Sequence, residues 1–381
     1  MPVHAVAGEA DLFQRAADFA RHHLKDDFAV AGDTGAGFDR DSWQRCADFG
    51  LLRMAVPHNG EPAPKLSSLI TVMEGLGYGS GDQGILFALN AHLWTTVIPL
   101  AEYGTPAQRE RYLPGLTDGS LIGANASTEP EAGSDVYAMT TSATPVDGGY
   151  LLDGAKTYIT NAPVADVFVV YTTVDRRAGP LGITAFLVDA DNPGLLRSPA
   201  FPKTGLRTAT MGRLDLHRCR VPSDAVLGRP GRGINVFETA MEYERGCITA
   251  ACLGVMRRQL ETCVHHARHR HQFGSPIGRF QAVSHRIAEM KVRLDAARAL
   301  VHRVGALKDA GEEASTEAAV AKLFVSEAYL ESSLDAVRVH GAGGYLSGSP
   351  QALHLRDSVG SVLHSGTSDI QRNIIASALG L

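Results

Sequence analysis

The run Ser127-Thr128-Glu129-Pro130-Glu131-Ala132-Gly133-Ser134-Asp135 combines hydroxyls with a Pro- and Gly-broken backbone. Such a loop leaves backbone N–H groups open and suits the concave nest that holds anionic or carbonyl groups. Farther along, Tyr158-Ile159-Thr160-Asn161 sets an aromatic ring, a hydroxyl and an amide together at the end of a strand-like run, suited to meeting a flat heterocycle with a polar edge. Either run alone passes for a surface turn or a hairpin strand; as a pair they are the most informative feature of the chain. His265 and His269 share one helical face in the run His265-His266-Ala267-Arg268-His269-Arg270-His271, a pairing that could hold a metal, but no nearby carboxylate or third spaced ligand accompanies them. That run reads instead as a solvated, positively biased helix end, and no metal site is expected. Gly341-Ala342-Gly343-Gly344-Tyr345-Leu346 fails as a dinucleotide fingerprint: its sixth position is Leu, and a helix precedes it where a strand is required. With neither a P-loop nor a G-x-S-x-G motif, a nucleotidase or hydrolase reading has nothing to stand on.

The elements that must position these residues follow from periodicity. From Asp11 to about Ser120 the apolar spacing is helical, as in Leu12, Phe13, Ala16, Ala17, Phe19, Ala20 and Leu24, and again through Lys65–Gly77, Gln83–Tyr103 and Ala107–Leu116. From about Leu121 short β-branched and aromatic runs take over (Tyr150–Leu152, Ala165–Thr173, Leu181–Val188), with Asp147-Gly148-Gly149 as a turn between strands. Helical spacing returns after Gly233 in three long stretches, Val236–His269, Phe280–Ala310 and Ser315–His340. Helices, then strands, then helices indicate an α+β chain with a small β-domain between two helical ones. The 381 residues suffice for two or three packed domains, and 44% hydrophobic with 20% charged residues is ordinary for a globular protein. A net charge of −5 implies no basic surface for nucleic acid or anionic membrane. No run approaches the roughly 18 apolar residues of a membrane helix, and Met1–Ala10 lacks a signal pattern. The cysteines Cys46, Cys219, Cys247, Cys252 and Cys263 show no paired spacing and read as buried thiols in a reducing cytoplasm.

Taken with Arg270-His271-Gln272-Phe273-Gly274-Ser275-Pro276-Ile277 and Phe280-Gln281, the two opening segments resemble the acyl-CoA dehydrogenase family, whose "R-x-Q-F-G-x-P-I … F-Q" block this run matches. Lys203-Thr204-Gly205-Leu206-Arg207 and Cys219-Arg220-Val221-Pro222 … Leu227-Gly228 resemble that family's strand pair and exit loop. His340–Tyr345, Arg356-Asp357 and Gly366-Thr367-Ser368-Asp369-Ile370-Gln371-Arg372 follow in its order and spacing. The resemblance runs from about Asp11 to the C-terminus. It implies an N-terminal helical domain (1–120), a central β-barrel-like domain (121–232) and a C-terminal four-helix-bundle domain (233–381).

The resemblance also implies FAD and assigns residues to it. Thr160 is expected to hydrogen-bond flavin N5, Tyr158 to pack on the isoalloxazine beside Ile159, Thr128 and its neighbours as far as Gly133 to meet the pyrimidine edge, and Ser134 to reach the pyrophosphate. Arg270 and Phe273, flanking Gln272, are expected to cross a subunit boundary to a neighbour's pyrophosphate and adenine; an arginine fork suits phosphate oxygens. Gln281 and the stretch from Arg338 through Gly341 and Ala342 are expected on the partner's dinucleotide, Arg338 standing where Gln is usual. Thr367 and Asp369 complete the cofactor set, while Ser134, Tyr243, Arg245, Ser365 and Gly366 are expected at the substrate.

The sequence departs from the family at the base. Most members use the glutamate of a "Y-E-G-T" tetrad; this chain has His364-Ser365-Gly366-Thr367. Serine cannot take an α-proton, so Ser365 is expected to contribute only its backbone N–H to the thioester carbonyl. Isovaleryl and long-chain members carry the base in an "E-R" pair shortly ahead of a Leu-Gly, and here Glu244-Arg245 precedes Leu253-Gly254. The bland alternative is a solvated helix carboxylate. Yet the helical neighbours of Glu244 are Ala240, Met241, Cys247 and Ile248, which offer no ion pair, and Glu242 faces elsewhere.

The expected activity is desaturation of an acyl thioester, on CoA or a carrier protein: a carboxylate in a water-poor pocket removes the α-proton while a hydride leaves the β-carbon for flavin N5. An electron-transferring flavoprotein would reoxidise the enzyme, a homotetramer built as a dimer of dimers and serving fatty-acid or polyketide metabolism in the cytoplasm. The alternatives are a subunit of a heteromeric steroid side-chain dehydrogenase and a flavin monooxygenase on the same fold.

Overall fold

The computed structural model describes residues 8–24, 37–57 and 62–381. Most of the stretch examined for a signal pattern, residues 1–7, lies outside them. Helix α1 (Glu9–His23) buries Leu12, Phe13, Ala16, Ala17 and Ala20, the stripe that the helical spacing predicts. It packs on α3 (Leu66–Gly79), whose Leu69, Ile70, Val72, Met73 and Leu76 are buried in the core. Helix α2 (Arg40–Asp48) stands beside them, capped by the Asp39 carboxylate. Helices α4 (Gln83–His92) and α5 (Ile98–Tyr103) are joined without a break by a π-helical turn at Leu93–Val97. The resulting Gln83–Tyr103 stretch corrects the expectation that nothing here is apolar enough to span a membrane: it qualifies by length and composition, but 89% of its apolar window is buried inside the protein. Helix α6 (Pro106–Asp118) opens with a reciprocal Thr105–Gln108 capping box.

The middle region holds one eight-stranded sheet, β1 (Gly123–Ala126), β2 (Ser142–Val146), β3 (Gly149–Thr160), β4 (Val167–Thr173), β5 (Ile183–Asp189), β6 (Leu195–Arg197), β7 (Met211–Pro222) and β8 (Val226–Leu227). Its order is β6-β7-β3-β2-β4-β5-β8, with β1 paired in parallel to β4. Every residue of β4 is buried. The long β3–β7 ladder slips between Lys156 and Ile159, and there Tyr158 takes a left-handed φ of 57°. Lys203–Arg207 is not half of a strand pair. The Leu206 N–H turns outward from any ladder to the Asp357 carboxylate, 2.6 Å away, with φ 49°.

Beyond residue 232 come α7 (Gly233–Cys247), α8 (Ala250–His269), the two-residue strands β9 (His271–Gln272) and β10 (Ser275–Pro276), then α9 (Gln281–Asp309), α10 (Ser315–His340), α11 (Pro350–Ser361) and α12 (Ser368–Ala378). Helix α10 touches all five other helices of this region. The single helix expected over Val236–His269 is in fact two. Thr249 relaxes to ψ 0°, and Cys252 N–H bonds back to the Thr249 carbonyl at 3.0 Å, so the helix is interrupted at a β-branched pair with no Gly or Pro to announce it. Helices α3 and α8 cross in backbone contact: a Cβ on Gly77 would fall 1.9 Å from the Ala251 carbonyl oxygen, and one on Gly254 would fall 2.0 Å from that of Glu74. One continuous apolar core runs from Leu12 through the sheet to Tyr329.

Candidate active site

The Ser127–Asp135 loop and the end of β3 are brought together. The Thr157 N–H donates to the Thr128 carbonyl at 2.9 Å. Below them lies a buried ion pair, Lys156 Nζ to Glu129 Oε1 at 2.8 Å, with both side chains almost wholly out of water. The Glu129 carboxylate also accepts from Thr140 N–H (2.6 Å), the Thr140 hydroxyl (2.8 Å) and Thr141 N–H (2.9 Å), and Lys156 Nζ donates to the Ser127 carbonyl at 3.1 Å. Burial pushes the Glu129 carboxyl up, but Lys156 and these donors outweigh it and hold it at about 2. The loop is therefore pinned from beneath while its upper side stays open. Gly133 and Ser134 are exposed, Thr128 and Thr160 are half-buried, Ile159 is buried, and the Tyr158 ring is 64% exposed with its edge toward Phe201. A planar exposed ring, hydroxyls with no hydrogen-bond partner among the described residues and a glycine around whose Cβ position nothing lies within 4 Å form a cradle that fits a flavin.

The base region adjoins this cradle through a short series of contacts. Asn161 Nδ2 donates to the Ala88 carbonyl on α4 at 3.1 Å, and neighbouring Phe87 packs on the His364 ring with centroids 4.6 Å apart. Next to His364, Ser365 lies near enough to the Glu244 carboxyl to favour its ionised form. Glu244, on α7, is 8% exposed. Burial pushes its carboxyl up to about 7, against the opposing pull of Ser365, Arg245 and Lys322. The notion of a solvated helix carboxylate fails here. Lys322, on α10, is wholly buried, and its ammonium has no hydrogen-bond partner among the described residues. Burial lowers it to about 8, the Glu244 charge acting the other way. No sequence motif assigns Lys322 a role. Its register with Ala318, Ala321, Val325 and Tyr329, all core residues, was the available signal.

Arg245 is mostly buried, with Nε unpartnered among the described residues, as a residue left for a substrate would be. Tyr243 is engaged elsewhere: Lys308 Nζ sits 4.4 Å over its ring, with Glu102 close by. Gly366 has φ 84°, and the Thr367 hydroxyl caps α12 by accepting from Ile370 N–H at 3.3 Å, while Asp369 pairs with Arg372. Arg270, Gln272, Phe273, Gln281, Arg338, Gly341 and Ala342 are all exposed, and Phe273 is 95% so. No hydrogen bond or ring contact among the described residues ties this group to Thr128–Thr160. His269 Nδ1–H is engaged by the His265 carbonyl at 2.8 Å.

Comparison with known proteins follows the same lines. Models of the acyl-CoA dehydrogenase N-terminal, middle and C-terminal domains match residues 8–120, 124–219 and 231–380. An L-prolyl-[peptidyl-carrier protein] dehydrogenase of Pseudomonas fluorescens is 44% identical over 347 residues, 90% of this chain and 91% of that protein. The crystal structure of the prolyl acyl carrier protein oxidase AnaB superposes with a TM-score of 0.95 at 40% identity, covering 99% of this chain and 100% of that one. PigA with FAD and proline gives a TM-score of 0.95 at 36% identity, with all of both chains covered.

Proposed function

The chain belongs to the acyl-CoA dehydrogenase family, and from that premise we propose that it desaturates a small cyclic aminoacyl group, prolyl in the first instance, carried as a thioester on a carrier protein. That it is an FAD-dependent dehydrogenase of acyl thioesters rests on the family and its relatives, which fit neither the monooxygenase nor the steroid side-chain alternative. The carrier-protein handle and the prolyl group are supported by relatives that match over nearly the whole chain.

The observation that carries the mechanism is the buried Glu244 carboxyl, facing a loop that offers a hydroxyl where a second carboxylate would otherwise sit. A base near neutrality combines adequate strength with a usable ionised fraction. Glu244 takes the α-proton, and the pair of electrons left behind forms the new double bond as a hydride departs from the β-carbon. When bound, FAD supplies the hydride acceptor at N5. Thr160 and Tyr158 orient the flavin ring, Ser365 N–H holds the thioester carbonyl as negative charge develops, and Arg245 steadies the substrate. The surrounding helices and strand β4 keep water from the Glu244 carboxylate.

An electron-transferring flavoprotein is the proposed acceptor of the two electrons, and a homotetramer the proposed assembly. Support for the latter is the exposure of Phe273, Tyr345 and Leu346, large apolar groups at one end of the bundle. A cytoplasmic setting is supported by five free thiols, four of them buried. The test is anaerobic bleaching of bound FAD by prolyl-carrier protein, prolyl-CoA and a straight-chain acyl-CoA side by side. Rapid bleaching by the first alone is expected; preference for a straight-chain acyl-CoA would overturn the substrate.

A further inference from the structure

Four arginines near the amino end of α7 have no task inside the molecule. Arg176 and Arg177 lie on the turn of residues 176–182 between β4 and β5, and Arg229 and Arg232 on the segment that leads from β8 into α7. All four are exposed, and none of their guanidinium groups makes a hydrogen bond or ion pair among the described residues. The adjoining acid, Asp175, uses its carboxylate to accept from the Arg177 backbone N–H at 2.9 Å. The two segments are fastened together. Gly231 N–H donates to the Thr184 hydroxyl at 2.9 Å, and a Cβ on Gly231, where φ is 71°, would lie 2.7 Å from the Leu181 carbonyl oxygen. At Gly233, the first residue of α7, a Cβ would fall 2.6 Å from the Ala185 nitrogen. The arginines thus belong to one ledge at the foot of α7, and it also carries Leu181, 58% exposed. The chain as a whole has a net charge of −5, so this local excess of positive charge stands against the sign of the molecule.

We propose that this ledge is the docking face for the carrier protein, its arginines meeting the phosphodiester at the root of the carrier's arm and the acidic side chains around it. The inference rests on a carrier-borne thioester being the substrate, and it names the surface that receives the carrier. Arginine suits both groups, because its planar fork pairs with phosphate and carboxylate oxygens alike. Reach supports the placement. Glu244 stands eleven residues beyond Gly233 on α7, about 16 Å along the axis at 1.5 Å per residue. A phosphopantetheine arm has about fifteen bonds from phosphorus to the α-carbon of its acyl group, and fully extended they cover roughly 17 Å at about 3.4 Å per three bonds. A phosphate held on the ledge therefore lets the α-carbon travel as far along α7 as the Glu244 carboxyl while the carrier stays outside. Leu181 adds an apolar contact beside the charges, as the centre of a small interface needs. Opposite charge on the two partners also steers their encounter, and that attraction weakens as salt rises.

The test is stopped-flow reduction of the FAD-loaded protein by prolyl-carrier protein, prolyl-CoA and prolyl-pantetheine. One variant combines Arg176→Glu with Arg177→Glu, a second Arg229→Glu with Arg232→Glu; melting temperature and FAD absorbance check that each folds as the parent does. With the carrier protein, each variant should raise the half-saturating concentration about tenfold and leave the limiting reduction rate unchanged, since the reacting groups are untouched. Prolyl-pantetheine, which lacks both the phosphate and the protein, should reduce parent and variants alike. Half-saturation of the parent should climb with salt, and that of the variants less steeply. A carrier whose acidic residues beside the arm are changed to Lys should bind the variants better than it binds the parent. Parental half-saturation in both variants overturns the docking face, as does a matching loss with prolyl-pantetheine. An equal loss with prolyl-CoA also overturns it, by marking a phosphate site with no protein partner. So does a changed oligomeric state in gel filtration, which gives the arginines to a contact between copies. If a straight-chain acyl-CoA bleaches the parent and prolyl-carrier protein does not, the substrate reading itself fails and the docking face falls with it.

Discussion

Glu244→Gln preserves shape and hydrogen bonding but cannot accept a proton, so FAD should bind as before while its bleaching by substrate slows about 10²–10⁴-fold. Because burial raises this carboxyl to about 7, the free enzyme should lose reductive activity as pH falls through that value. The same shift has a stability consequence of known sign: the folded carboxyl keeps a proton that the unfolded one releases, so the contribution of this residue is fully present below 4.5 and is lost as pH rises to about 7. Thermal melts of the parent and Glu244→Gln across that window should diverge accordingly. At Thr160, replacement by Val at nearly constant volume should cost about 1–3 kcal/mol of transition-state stabilisation, read as slower flavin reduction by stopped flow. The burial of Glu244 was legible in the sequence because its helical neighbours are apolar. The conformation of Ser365 was not, since a left-handed backbone held by Gln371 leaves no pattern in the chain.

At the scale of elements, the Ser127–Asp135 loop is held to β3 and the Thr140–Thr141 segment by Glu129 and Lys156. Breaking this pair from one side leaves an uncompensated buried charge. Glu129→Gln should therefore destabilise the protein by about 3–5 kcal/mol and weaken FAD retention together, measurable by denaturant titration and by equilibrium dialysis of the cofactor. Since the folded carboxyl sits at about 2 and the unfolded one at 4.5, its stabilisation is complete above 4.5 and drains away as pH falls toward 2. Long helices such as α9 and α10 could be read nearly to their ends, because sustained three-to-four spacing has few rivals. The division of α7 from α8 could not, for it occurs at Ile248–Thr249, residues that helices also tolerate. Short strands such as β6 and β8 escaped for a different reason: two or three residues are too few for alternation to show, and only their neighbours make them strands.

For the whole molecule, Arg270 and Phe273 lie on a surface that makes no hydrogen bond or ring contact with the Thr128–Thr160 cradle among the described residues, which fits the proposal that another copy completes the cofactor site. Arg270→Ala should shed FAD during gel filtration at low concentration while the parent keeps it; a monomer that retains its flavin fully would refute the shared site. The order of helices, strands and helices was readable at this scale, but the way the outer two regions interpenetrate was not. At the α3–α8 crossing, Gly77 and Gly254 let two main chains lie against each other with no side chain between them. The boundaries drawn along the sequence are therefore not seams along which the protein can be taken apart. An N-terminal fragment ending before α8 would expose the groove that Gly77 opens, and a graft from a relative would dock only if it brought an equally bare stretch of helix. The unit that can be inherited, exchanged or split is the crossing together with both helices, and the β-domain lies outside it.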